Sequence, residues 1–146
     1  MQPRATLKKC EILRLKNDID ELFKEGKSIK VLPLKILYQV PPLNERKMEA
    51  NNLRATIQVM FVVSKRTLKS AARRNRVRRC MREAYRCLKS NLHSTLSQKC
   101  PTVHHLRLAF LFQSAPSESV NTKLMKTVLN KGIEKVVVRL SLDDAS

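Results

Sequence analysis

The chain has 146 residues, 42% of them hydrophobic, which suffices for one domain with its own core and excludes a large multidomain enzyme. Thirty Lys and Arg against twelve Asp and Glu leave a net charge of +18, which demands a polyanionic partner or a heavily solvated surface. The longest apolar run, Ile57–Val63, is interrupted by Gln58 and falls far short of the roughly 18–20 residues of a membrane span. The basic N-terminus has no apolar secretory core, so the expected location is cytoplasmic. Nucleic acid is then the expected polyanion, with no membrane partner.

Residues 1–8 read as a basic, flexible N-terminal lead, 9–132 as a single domain, and 133–146 as a C-terminal tail. Asn17 or Asp18 is placed to cap a short helix through Lys24, with Ile19, Leu22 and Phe23 inward and Gly26 as the stop. A short strand fits near residues 28–32. Leu34, Ile36, Tyr38 and Val40 alternate with Lys35, Leu37 and Gln39, which predicts a strand ended by Pro41 and Pro42. Residues 41–54 read as a polar connection. The next strand has one apolar face, Ile57, Val59, Phe61 and Val63, and a mixed face with Met60, Val62 and Ser64. One side of the sheet is therefore expected to be core and the other open to a ligand.

Ala71–Leu96 contains neither Pro nor Gly, and at helical spacing Val77, Met81, Ala84, Tyr85, Leu88 and Leu92 form one stripe. Leu106, Leu108, Phe110 and Phe112 alternate through a third strand. Ser117 or Ser119 is expected to cap a last helix, with Val120, Leu124, Met125, Val128 and Leu129 inward and Gly132 at its end. The tail EKVVVRLSL fits a strand or a further helical turn equally well. These elements predict an α+β fold, a small two-layer sandwich with helices mainly on one face of a single sheet.

The chemistry concentrates in residues 65–89, where eleven Lys and Arg face one acid, Glu83, so that ten of the eighteen net charges lie in this segment. A merely solvated helix face mixes signs, because like charges one turn apart repel by a few tenths of a kcal/mol. Arg74, Arg78, Arg82 and Arg86 form such a ladder. Asn75, Arg78, Arg79, Arg82 and Arg86 share a flank beside the apolar stripe, Arg74 sits at its border and Arg76 points elsewhere. Arginine forks suit phosphate oxygens. A basic-region leucine zipper on DNA is excluded: Leu88, Leu92 and Leu96 step by four, and Pro101 ends the helix too soon.

No metal or disulfide site is expected. Cys10, Cys80, Cys87 and Cys100 include no C-x-x-C pair, and Cys80 and Cys87 lie about 10 Å apart on one helix. Cys100, His104 and His105 lack a fourth ligand.

Three blocks now stand in order: Val63-Ser64-Lys65-Arg66, Arg74-Asn75-Arg76-Val77-Arg78-Arg79, and Met81-Arg82-Glu83-Ala84-Tyr85-Arg86. Together they resemble the signature of the bacterial ribonuclease P protein component. The likeness extends through Asn17–Ser28 and Ile36-Leu37-Tyr38 to Leu108–Leu111 and Ser119–Leu129, covering roughly residues 8–130. It implies an α-β-β-β-α-β-α order with a left-handed β-α-β crossover and a central long basic helix. It also implies that the catalytic RNA subunit of ribonuclease P, acting with Mg²⁺, removes the single-stranded 5′ leader from precursor tRNA, while the protein holds both RNAs.

Carried over by motif, Arg74, Asn75, Arg76, Arg78, Arg79 and Arg82 would contact the RNA subunit, with no catalytic side chain in the protein. Ile19, Phe23, Tyr38, Val62, Ser64, Lys65 and Arg66 would form the leader cleft, whose bases need flat apolar surface for stacking. Ile19 stands where members commonly carry an aromatic, and the loop Thr67–Arg73 lacks the glycine of many members. Composition alone equally allows a ribosomal-protein-like structural RNA binder. A self-sufficient metal nuclease is disfavoured by its scattered acids; the densest group, Asp18–Glu25, is expected to favour the helix dipole or balance nearby lysines.

Overall fold

Apolar residues at period two and at helical spacing divide the described residues into seven elements: α1 (Lys16–Glu25), β1 (Lys27–Val31), β2 (Leu34–Gln39), β3 (Thr56–Val63), α2 (Ala71–Lys99), β4 (His105–Phe112) and α3 (Thr122–Ala145). The structure, a computed structural model, describes residues 11–41, 56–100, 103, 105–113 and 121–145. The N-terminal lead, the connection beyond Pro41 and the proposed caps Ser117 and Ser119 lie outside these residues. The fold is α+β, with three helices and one mixed sheet among the described residues, in the element order expected.

The sheet order is β1-β2-β4-β3, antiparallel except for the parallel pair β3–β4, which α2 connects. Central β4 is buried on both faces, as a strand with neighbours on each side and helices above and below must be. On one face Leu106, Leu108, Phe110 and Phe112 join Ile36, Tyr38, Ile57 and Val59 beneath α2 and α3. Phe61 stacks on Phe110 at 5.7 Å, and Tyr85 of α2 meets Phe110 at 5.9 Å. Burial, reinforced by the charge of Glu11, raises the Tyr85 phenol well above its ordinary pKa, so the ring stays neutral in the core.

The other face carries a smaller cluster, Leu13, Leu22, Leu37 and Ala109, with Ile19, Met60 and Leu111 packed against it. The chain reaches it by passing the open edge of β3. Lys89 Nζ binds both Glu11 oxygens at 3.0 and 3.1 Å, and the Leu13 amide donates to the Val59 carbonyl at 2.8 Å.

Two helix ends differ from expectation. Helix α1 begins at Lys16 behind Leu15, which has no capping side chain, so neither Asn17 nor Asp18 is the cap. Asp18 lies inside the first turn, where it is drawn to a buried arginine described below. Helix α3 runs through Gly132 instead of ending there. A Cβ at Gly132 would collide with Ile36 Cδ1, so glycine serves the close approach of helix to sheet and not a helix stop. Ile133, Val136, Val137 and Leu140 continue the buried stripe and decide the tail as helix. Asn121 Oδ1 accepts from the Leu124 amide at 2.8 Å at the start of this helix.

This contact gives a test. Gly132→Ala should cost about 1–2 kcal/mol in urea unfolding, because overpacking outweighs the helix-propensity gain. In an Ile36→Val background, which removes Cδ1, the same substitution should turn neutral or stabilising. An unchanged cost there would show that the helix approach is not what requires glycine.

Candidate nucleic-acid interface

Helix α2 has two unlike sides. Val77, Met81, Ala84, Tyr85, Leu92 and Leu96 are buried, and Leu88 is half-buried against the same core. Because that stripe fixes the rotation of the helix, the arginines are forced outward. Asn75, Arg76, Arg79 and Arg82 are exposed, and Arg74 and Arg78 are half-buried. Arg76, Arg79 and Arg82 make no side-chain hydrogen bond or ion pair with another described residue.

Arg74 and Arg78 also organise the loop before the helix. Arg74 Nη1 donates to the carbonyls of Leu68 and Lys69 at 2.9 and 2.8 Å. Arg78 Nη1 donates to Asn75 Oδ1 at 2.7 Å, and its Nη2 reaches the Val63 carbonyl at 3.5 Å. Ser70 Oγ caps the helix by accepting from the Arg73 amide at 3.3 Å. Ser64 and Thr67 share a hydroxyl contact of 2.9 Å, and Ser64 Oγ accepts the Thr67 amide at 3.2 Å. The glycine-free loop is thus a pair of hydroxyl-stabilised turns laced to α2. Exposed Lys65 and Arg66 stand at the strand end that Arg78 touches, so the two basic groups are contiguous.

Arg86 departs from the rest of the ladder. Its Nε and Nη2 donate to the Glu83 carboxylate, and these bonds hold Glu83 below the ordinary carboxylate range. Glu83 thereby turns Arg86 away from an external anion.

The expected leader residues divide between the two sheet faces. Ile19 packs with Met60 and Leu111 on the face under α1, and half-buried Val62 shares that face of β3. Phe23, one helical turn beyond Ile19, is 46% exposed. Ser64, Lys65 and Arg66 follow Val62 at the strand end. Tyr38 does not join them. It lies on the opposite face at 2% exposure, inside the main core, with its hydroxyl buried and without a hydrogen-bond partner among the described residues. The alternation that puts Tyr38 with Leu34 and Ile36 makes it a core residue, not a wall of the cleft.

One residue important to this site is absent from the sequence reading. Arg107 of β4 is only 5% exposed. Its Nη2 donates to Asp18 Oδ1 at 3.0 Å, and its Nη1 to Glu21 Oε2 and Gln39 Oε1 at 3.1 Å each. Gln39 Nε2 closes the network on Glu21 Oε1 at 3.3 Å. Asp18 and Glu21 of α1 therefore bind a buried cation from the sheet, and the helix is fastened across the second face by charge as well as by Leu22. The available signal was a lone arginine in an otherwise apolar strand, together with two acids three residues apart on α1.

Among the described residues, no three His, Cys, Asp or Glu side chains gather as a metal site, and no helix is long and apolar enough to cross a membrane. Cys80, Cys87 and Cys100 are not in disulfides.

The structure thus defines a small basic α+β protein whose long helix packs one side and leaves its arginines outward on the other. Residues 7–135 match the family model described as Ribonuclease P. The "Ribonuclease P protein component" of Chlorobium phaeobacteroides is 33% identical over 128 residues, covering 86% of this chain and 84% of that protein. The fold is similar to the RNase P protein of Staphylococcus aureus (TM-score 0.61, 16% identity, covering 88% of this chain and 96% of that one). It is also similar to that of Thermotoga maritima (TM-score 0.60, 21% identity, 86% and 96%). The chain belongs to the ribonuclease P protein family. As a protein component of ribonuclease P, it is part of a ribonucleoprotein nuclease of tRNA processing.

The Arg107 network predicts a specific stability pattern. Arg107→Met should cost about 3 kcal/mol in urea unfolding, because it strands two carboxylates that a buried cation had neutralised. Adding Asp18→Asn and Glu21→Gln should recover most of that loss, since the uncompensated charges are then gone. A fully additive triple variant would contradict the network.

Proposed function

We propose that this chain binds the catalytic RNA subunit of ribonuclease P through the outward flank of α2 and receives the 5′ leader of precursor tRNA beside it. The observation that carries the reading is the set of Arg76, Arg79 and Arg82, exposed and without a side-chain partner among the described residues, on a helix whose other side is core. Asn75 with Arg74 and Arg78 adds polar groups along the same flank and stiffens the loop. A protein gains nothing in stability from such self-repulsion, whereas RNA phosphates turn it into binding.

Leader contacts in this reading come from Ile19, Phe23 and Val62, with Ser64, Lys65 and Arg66 at the strand end. Exposed Phe23 offers a ring for an unstacked base, a contact of about 1–3 kcal/mol. Lys65 and Arg66 supply charge for leader phosphates next to the α2 flank. Asp18 and Glu21 of α1 are engaged with Arg107, so this pair does not suit a Mg²⁺ site of the protein's own. In this reading Mg²⁺ and the hydrolytic chemistry belong to the RNA subunit, in the cytoplasm, with neither DNA nor membrane as partner.

Reconstitution tests this. Added to a bacterial ribonuclease P RNA at low Mg²⁺, the chain should stimulate leader release from precursor tRNA, and the chain alone should cleave nothing. Charge reversal at Arg79 and Arg82 should raise the protein concentration required about tenfold or more. Phe23→Ala should weaken substrates with a long leader while sparing those with a minimal one. Absence of stimulation, combined with stoichiometric co-sedimentation with ribosomal subunits, would favour a structural ribosomal binder instead.

A further inference from the structure

A second basic surface lies away from α2. Lys131, Lys135 and Arg139 recur every four residues along α3, one above another at about 6 Å. With Lys30 of β1 they line a shallow cavity of about 540 Å³, floored by Ile29 and Val138. All four cations are exposed and make no ion pair with another described residue; Glu134 is the lone acid among the lining side chains. Like charges one turn apart again work against the helix that carries them. Lysines on the open edge of β1 would suffice to block strand pairing, but that role does not account for three more cations on the helix above it.

The sheet order separates this surface from the first. β1 and β3 are its opposite edges, about 14 Å apart across three strand spacings, and α2 issues from the β3 side. One phosphate group cannot meet both surfaces. The lining includes no aromatic ring, so it provides charge and aliphatic stems but no platform for stacking unpaired bases. The exposed apolar side chains nearby, Val138 and Leu142, are too few and too small for an interfacial membrane anchor.

We propose that the β1–α3 edge is a second docking surface for the RNA subunit, one that takes the phosphate backbone of a paired segment distinct from the segment held by α2. The protein then acts as a brace between two parts of the RNA. This inference rests on the RNA-subunit reading above, and the experiment separates the two.

Full-length wild type, Lys131→Glu/Lys135→Glu/Arg139→Glu and Arg79→Glu/Arg82→Glu are titrated against a bacterial ribonuclease P RNA over a range of salt, with hydroxyl-radical footprinting of each complex. The α3 variant should lower the log–log salt slope by about 2–3 and lose one protected block, while the block that depends on α2 remains. The matching Gln triple should lose the same block with a smaller affinity defect, which guards against a folding effect of the reversed charges; circular dichroism checks both. Wild-type slope and footprint in the α3 variants, with a defect in the α2 variant, would overturn the second surface alone. Wild-type binding by the α2 variant would overturn the RNA-subunit reading on which it rests. Wild-type RNA binding by the α3 variants, accompanied by loss of pelleting with phosphatidylglycerol vesicles, would assign the edge to lipid and also overturn the proposal.

Discussion

The structure depends on the packing of one side of α2 against the sheet. Val77, Met81, Ala84 and Tyr85 enter the core where Phe61 and Phe110 stack, and Leu92 and Leu96 extend the contact toward α3. Burying each of the larger side chains contributes about 1.5–3 kcal/mol, far more than the few tenths that each repulsive arginine pair costs. The core therefore fixes the angle of the helix, and the arginines must face outward whatever they cost one another. A cationic surface is held rigid because it is the reverse side of a hydrophobic one.

The second face works differently. Leu22, Leu37 and Ala109 make only a small cluster, and α1 is a ten-residue helix with no capping side chain. Arg107 supplies what that packing lacks, by drawing Asp18 and Glu21 down onto the sheet beside Gln39. Its position next to the Ile19 and Phe23 side of α1 means that the spacing between helix and sheet is set by ion pairs as much as by apolar contact. Buried charges are costly without partners, so the arrangement fixes one geometry more than it adds stability.

Much of this was legible in the sequence. The 29-residue α2 has no Pro or Gly to interrupt it, so its stripe and its basic flank follow from helical spacing alone. Arg79 and Arg82 are exposed on the flank where helical spacing placed them, and Arg76, set apart from that flank, is exposed as well. What escaped depends on groups distant in the chain. Arg107 is 89 residues from Asp18, and nothing local announces their meeting. Tyr38 was assigned to the right alternation, with Leu34 and Ile36 against Lys35, Leu37 and Gln39, but alternation does not say which face the long helices cover. Gly132 read as a stop because glycine so often is one, whereas here it admits Ile36, and the valine-rich tail carries no period strong enough to say helix unaided.

The account stands on the outward flank of α2 meeting RNA phosphates, and ionic strength interrogates that contact without altering a residue. Binding of the unmodified chain to a bacterial ribonuclease P RNA should weaken with salt at a log–log slope of about −4 or steeper, as expected when five or more cations displace condensed counterions. A slope shallower than about −1 would mean that these arginines do not touch the RNA backbone, and the account would be wrong at its centre.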